Sequence, residues 1–263
     1  MRHWLTRWAS WRKARTLERR AIPDELWEAT LDRYRFLQKR PRAALARLRD
    51  MATLFLDRKE FSGAGGLEVT DEMAVAIAAQ ACVPVLELGL HCYDGFVGIV
   101  VHPHAVAAPR EVTDDDGIIH RYTEELSGEA MDGGPLMLAW SDVADAGESA
   151  AWGYNVVIHE FVHVLDMRAA RAGLPDDVRL TQWPRRLNDT YEGFARRVDE
   201  GEDTFLDPYG AEAVEEYFAV AAEAFFVAPD DLRFEEPELY DLLAEFFRQF
   251  PADEAPSNDG LAS

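Results

Sequence analysis

Residues 153–166 constrain this chain more than any other stretch. They read GYNVVIHEFVHVLD. Val156, Val157, Ile158, Phe161, Val162, Val164 and Leu165 make the segment apolar nearly all round, which suits a buried helix. Inside it stand His159, Glu160 and His163. Imidazoles four residues apart share one helix face. Burying such a polar pair is costly unless a partner satisfies it. A His-Glu-x-x-His run on a helix offers both imidazoles to one metal ion, with the glutamate beside that ion. Zinc lowers the pKa of a water it binds to about 7, within reach of a carboxylate base. Asn155, just ahead of the apolar run, is the expected N-cap.

The chain has to build a core around that helix, and its 263 residues, 48% hydrophobic, suffice for one large domain or two small ones. Cys82 and Cys92 are too few for a disulfide framework, and no CxxC pair is present for a zinc ribbon. Buried thiols and a reducing, cytoplasmic setting follow as expectations. No apolar run reaches the roughly 18 residues a membrane span needs. The first 20 residues lack the apolar stretch of a secretory signal.

Charge is unevenly spread. Residues 1–49 hold 14 Lys and Arg against 5 Asp and Glu, whereas the whole chain has a net charge of −22. The part carrying the histidines is therefore strongly acidic. An enzyme acting on nucleic acid needs basic residues around its site, so nucleic acid is not the expected substrate. A basic or N-terminally charged peptide is compatible. Trp4, Trp8, Trp11 and Arg15 fall at helical spacing among further arginines, a basic amphipathic stretch suited to an anionic membrane surface, a partner or the protein's own body.

Along the chain, helices are expected from Pro23 to a break at Pro41, over 42–58, from a Thr70 cap to about Ala81 with continuation through 83–90, and over 183–198, 211–226 and 237–250. Residues 61–66 read as a loop, 114–117 as a turn and 127–134 as a glycine-bearing turn. Residues 96–102, 118–126 and 135–141 read as strands. The third of these is either a core strand or an edge strand able to pair with extended peptide. His102 and His104 flank Pro103, which denies them a common helix face. The expected fold is α+β, helix-rich, with a small mixed β-sheet. Residues 1–21 form a basic Trp-rich segment, 22–250 a single domain and 251–263 a polar tail.

A catalytic zinc takes three protein ligands and keeps one position open. Asp166, Glu212, Glu215, Glu216 and Glu223 are all candidates beside His159 and His163, and spacing alone does not choose among them. Several stretches are informative together: FSGAGGLEVTDEMAVAIAAQAC at 61–82, LSGEAMDGGPLMLAWSDV at 126–143, NVVIHEFVHVLD at 155–166 and YGAEAVEEYFAVAAEAFF at 209–226. With them the chain resembles the Mlc titration factor A family of zinc metallopeptidases, whose catalytic region is similar to that of anthrax lethal factor. The resemblance implies a zincin-like core holding one Zn2+ per chain, with His159, His163 and Glu216 as ligands. It implies Glu160 as general base and Tyr209 as the group that stabilises the oxyanion. It leaves Glu223 in a supporting role; Asp166, three residues after His163, is open as a ligand or as a group that orients an imidazole. It further implies aminopeptidase-type hydrolysis of a peptide or protein, and binding of the transcriptional repressor Mlc. The competing expectation is a regulatory binding protein whose zinc is structural or vestigial.

Overall fold

The computed structural model describes residues 2–113, 119–131, 133–149, 153–172 and 182–253. The turn expected at 114–117, the break after Gly173, most of the polar tail and the side chains of Trp4 and Trp8 lie outside the described residues.

Helix α1 (Arg2–Arg20) leads into α2 (Asp24–Arg33), α3 (Arg35–Gln38) and α4 (Arg42–Leu56). The single helix expected before Pro41 is two, because Tyr34 leaves helical geometry at φ −109° and ψ 73°. Its ring is fully buried and its hydroxyl donates to the Val143 carbonyl at 2.9 Å. A tertiary hydrogen bond thus outweighs local helix propensity. Helix α5 (Asp71–Ala81) starts at its Thr70 cap, whose hydroxyl accepts the Met73 N–H. It does not continue through 83–90, where Pro84 breaks the ladder and turns lead to a 3-10 turn at Leu90–Tyr93.

Four short strands form one mixed sheet: β1 (Glu60–Gly63), β2 (Gly98–His102), β5 (Gly128–Ala130) and β6 (Leu136–Ala139), in the order β1-β2-β6-β5. β1 and β6 pair in parallel with β2, while β5 runs antiparallel to β6. β3 (Val106–Thr113) and β4 (Ile119–Leu126) form a separate antiparallel pair. Two segments expected as loop and turn are thus strands, β1 and β5. Each is too short and too glycine-rich for alternation to reveal it, and each is defined by its partner. The segment at 135–141 yields an interior strand, β6, which ends where α6 (Trp140–Ser149) begins. The sheet edge near the histidines belongs instead to β5.

Helices α7 (Val156–Ala172), α8 (Trp183–Asp199), α9 (Val214–Val227), α10 (Pro229–Glu235) and α11 (Pro237–Phe247) complete the α+β, helix-rich architecture. The helix expected from Ala211 starts at Val214, after a 3-10 turn at Pro208–Ala211. Phe161 anchors α7 from the side away from the histidines, with its ring 5.0 Å from Tyr93 and 5.5 Å from Phe55. Aromatic pairs in this range add about 0.5–1.5 kcal/mol each beyond the area they bury. On the other side, Phe218 and Phe225 of α9 pack on Phe247 of α11. Helix α9 is thereby pinned between α7 and α11. Pro251 is buried and Ala252 donates its N–H to the Tyr240 hydroxyl, so the first residues of the expected tail pack on the body.

Candidate metal centre

Asn155 organises the start of α7. Its side-chain oxygen accepts the Ile158 N–H at 3.0 Å, the N-cap bond expected from its position. Its side-chain amide donates to Gln80 of α5 at 2.7 Å, and its backbone N–H donates to Glu223 of α9. All three residues are buried. This polar chain ties α5 and α9 to the turn of α7 that carries His159.

Glu223 accepts twice. One carboxylate oxygen takes the Asn155 N–H and the other takes Nδ1–H of His159 at 2.7 Å. With Nδ1–H held by Glu223, Nε2 is the nitrogen that His159 turns toward Glu216 and His163, and the one it can offer to a cation. Nε2 of His159 then lies 3.1 Å from Nε2 of His163 and 3.1 Å from a Glu216 oxygen, which is itself 3.3 Å from Nε2 of His163. Three electron-rich atoms thus converge on one point. A tetrahedral zinc with donors about 2.1 Å away spaces them about 3.4 Å apart, which these distances match. Asp166, Glu212 and Glu215 do not join the group. The described residues able to hold a metal together are His159, His163 and Glu216. His102 and His104 are likewise outside it.

The electrostatics ask for a cation. Glu160, Glu216 and Glu223 surround two imidazoles, and no described residue lining the adjoining cleft is a lysine or arginine. Burial disfavours a proton on His159, yet Glu223 and Glu216 outweigh it and raise that pKa to about 10. Burial also opposes ionisation of Glu216, but its hydrogen bonds to both imidazoles hold it well below the usual carboxylate range. Among the described residues, no comparable donor reaches Glu160. Burial pushes it up to about 7, only partly offset by His159 and His163.

Glu160 faces a cleft of about 240 Å³ whose walls include Leu126, Val156, Phe205, Leu206 and Val220. Tyr209 lies on its rim, 40% exposed, with its ring 6.2 Å from that of His159. Asp207, also in the lining, sets the turn before Tyr209 by accepting the Tyr209 N–H at 2.9 Å. Sequence reasoning had not singled out Gln80, Gly128, Tyr154 or Asp207. The one available signal was Gln80, a polar residue inside an otherwise apolar helix.

Gly128 of β5 leaves room for the Glu160 side chain. A Cβ there would sit 2.6 Å from Cδ of Glu160, closer than real contacts allow. Gly128→Ala is therefore expected to cost about 1–3 kcal/mol, read as a lowered urea midpoint at unchanged slope. An unchanged midpoint would show that β5 moves aside freely.

The sequence profile described as glucose-regulated metallo-peptidase M90 matches residues 8–248. An uncharacterized protein of Synechocystis sp. is 34% identical over 247 residues, 91% of this chain and 89% of its own length. Mlc titration factor A of Serratia proteamaculans is 36% identical over 211 residues, 78% of this chain and 80% of its own. The protein of the same name from Pectobacterium atrosepticum is 34% identical over 213 residues, 78% of this chain and 79% of its own. A match over nearly the whole chain, with His159, Glu160, His163 and Glu216 gathered at one point inside it, gives a plain result: this chain belongs to the glucose-regulated metallo-peptidase M90 family.

Proposed function

We propose that the chain is a zinc-dependent peptidase in which His159, His163 and Glu216 hold one Zn2+, Glu160 is the general base and Tyr209 assists at the oxyanion. The observation that carries this reading is the triangle of three donor atoms 3.1–3.3 Å apart, with Glu160 at its side. When bound, zinc supplies an acidified water and a polarised substrate carbonyl. Glu160 takes the proton from the attacking water and delivers it to the leaving amine. Its raised pKa suits both halves of that task. The Tyr209 hydroxyl donates to the carbonyl oxygen as negative charge develops there. Glu223 keeps His159 in the tautomer that presents Nε2.

Substrate features follow from the surroundings. β5 pairs with β6 on one side only, and no described strand pairs with its other edge, an arrangement that suits an extended peptide there. The cleft is smaller than the roughly 300–1,000 Å³ of a drug-sized site and suits one apolar side chain next to the scissile bond. Asp207 and Glu160 in its lining, with no lysine or arginine among the described lining residues, suit a free amino terminus, which supports the aminopeptidase form of the reading. Residues 22–250 then act as one catalytic unit. The two buried free thiols suit a cytoplasmic setting. Among the described residues no helix is long and apolar enough to cross a membrane.

A second reading concerns partners. The relatives called Mlc titration factor A carry a name that couples them to Mlc. Binding of that repressor, or of another regulator in its place, is compatible with peptidase activity and also with a zinc site that serves binding alone.

Chelation tests the main reading. The zinc-loaded chain is expected to release the first residue of unblocked peptides. It should lose that activity in excess chelator and regain it with added zinc, and N-acetylated peptides should be cleaved poorly. Hydrolysis that survives complete zinc removal would overturn it.

A further inference from the structure

Helix α1 takes no part in the site above. Between residues 2 and 20 it carries Arg2, Arg7, Arg12, Lys13, Arg15, Arg19 and Arg20 against one acid, Glu18. It is tied to the body near its C-terminal end, where Arg20 pairs with Asp57 at 2.8 Å and the Thr16 hydroxyl donates to the same carboxylate at 3.4 Å. Thr16 and Leu17 are half-buried there, while residues 11–15 are all exposed. Trp11 is 53% exposed, with the Arg15 guanidinium 5.1 Å from its ring centre. A groove of about 480 Å³ runs along this face, lined by Trp11, Arg12, Arg15, Arg19, Arg20 and Asp57.

We propose that α1 is a surface anchor that docks the protein on an anionic phospholipid bilayer, with the arginine groove receiving lipid phosphate and Trp11 entering the headgroup layer. Arginine's planar fork matches phosphate oxygens, and among the described residues four arginines and one carboxylate line the groove. Tryptophan settles where one side of the ring is apolar and its N–H is wet, the depth of lipid headgroups. An exposed Trp among arginines favours a bilayer over duplex nucleic acid, whose backbone basic residues alone would serve. Trp11 and Arg20 lie nine positions apart, about 14 Å of helix. That exceeds the Debye length of about 8 Å at physiological salt, so the Asp57 carboxylate that pairs with Arg20 is largely screened at Trp11.

The experiment is sedimentation of the full-length, zinc-loaded chain with phosphatidylcholine vesicles, with or without one-third phosphatidylglycerol. At least about tenfold more protein should pellet with the anionic vesicles at low salt, and molar salt should release it. The quadruple variant Trp11→Ala, Arg12→Ala, Arg15→Ala, Arg19→Ala should lose at least about tenfold in vesicle binding at an unchanged unfolding midpoint and zinc content. Single Arg12→Ala and Arg15→Ala variants should each lose part of the binding, which keeps the test valid if the quadruple variant misfolds. Equal binding to both vesicle types, no binding to either, or wild-type binding by the variants would overturn the proposal. So would retention of short duplex DNA in preference to anionic vesicles, which would assign α1 to nucleic acid.

Discussion

Glu160→Gln is expected to lower kcat by about 10³- to 10⁴-fold with zinc content and fold intact. The size follows from what one positioned general base contributes, about 4–5.5 kcal/mol of barrier at the upper end of its usual range. Glutamine keeps the volume of glutamate, so the close approach of Gly128 is undisturbed. It cannot take a proton from water. Burial already pushes Glu160 up to about 7, so the site tolerates a neutral group at that position and the variant should be close to wild type in stability. Steady-state hydrolysis of one unblocked peptide, beside zinc analysis of the same sample, reads the result. Activity within about tenfold of wild type would remove Glu160 from the base role. Loss of hydrolysis with preserved binding of a regulatory partner would separate the two functional readings.

Glu216→Ala is expected to take bound zinc from one per chain to below about 0.1 after dialysis. Two imidazoles on one helix face remain, and they fall short of the three protein ligands of a catalytic zinc. Glu223 provides the contrast, since it touches His159 rather than the point where the three donors meet. Glu223→Gln should weaken zinc about 10- to 100-fold, the usual effect of losing a partner that orients a histidine ligand. It should also cost about 1–3 kcal/mol of stability, because an amide NH2 would face either the Asn155 N–H or the His159 Nδ1–H. Asp166→Asn should change little. Competition with a chromophoric chelator ranks the three variants. Full zinc retention in Glu216→Ala, with loss in Asp166→Asn or Glu223→Gln, would move the third ligand to that residue.

What could be read in advance came from local repeats. The 3.6-residue period put His159 and His163 on one face of a buried helix, and Asn155 announced where that helix begins. Thr70 did the same for α5. Each signal depends only on near neighbours, so each is legible in a single chain. Short strands were illegible for the complementary reason. Gly128–Ala130 holds three residues, too few to show alternation, and becomes a strand only because β6 offers it a ladder.

The sequence by itself determined which helix must be buried, which two imidazoles share its face, and which glutamate lies between them. Its spacing left five carboxylates open beside them, and only a family resemblance favoured Glu216. Tertiary structure decided which of these acids arrives. The packing register of α9 on α7 brings Glu216 to both Nε2 atoms and turns Glu223, two helical turns on, against Nδ1 of His159. The partners are 57 and 64 residues away in the chain, and the Gln80–Asn155 bond closes a separation of 75. Periodicity is a property of neighbours along the backbone. The meeting of distant side chains is a property of how two helices interlock, and that depends on the volumes of every residue packed between them.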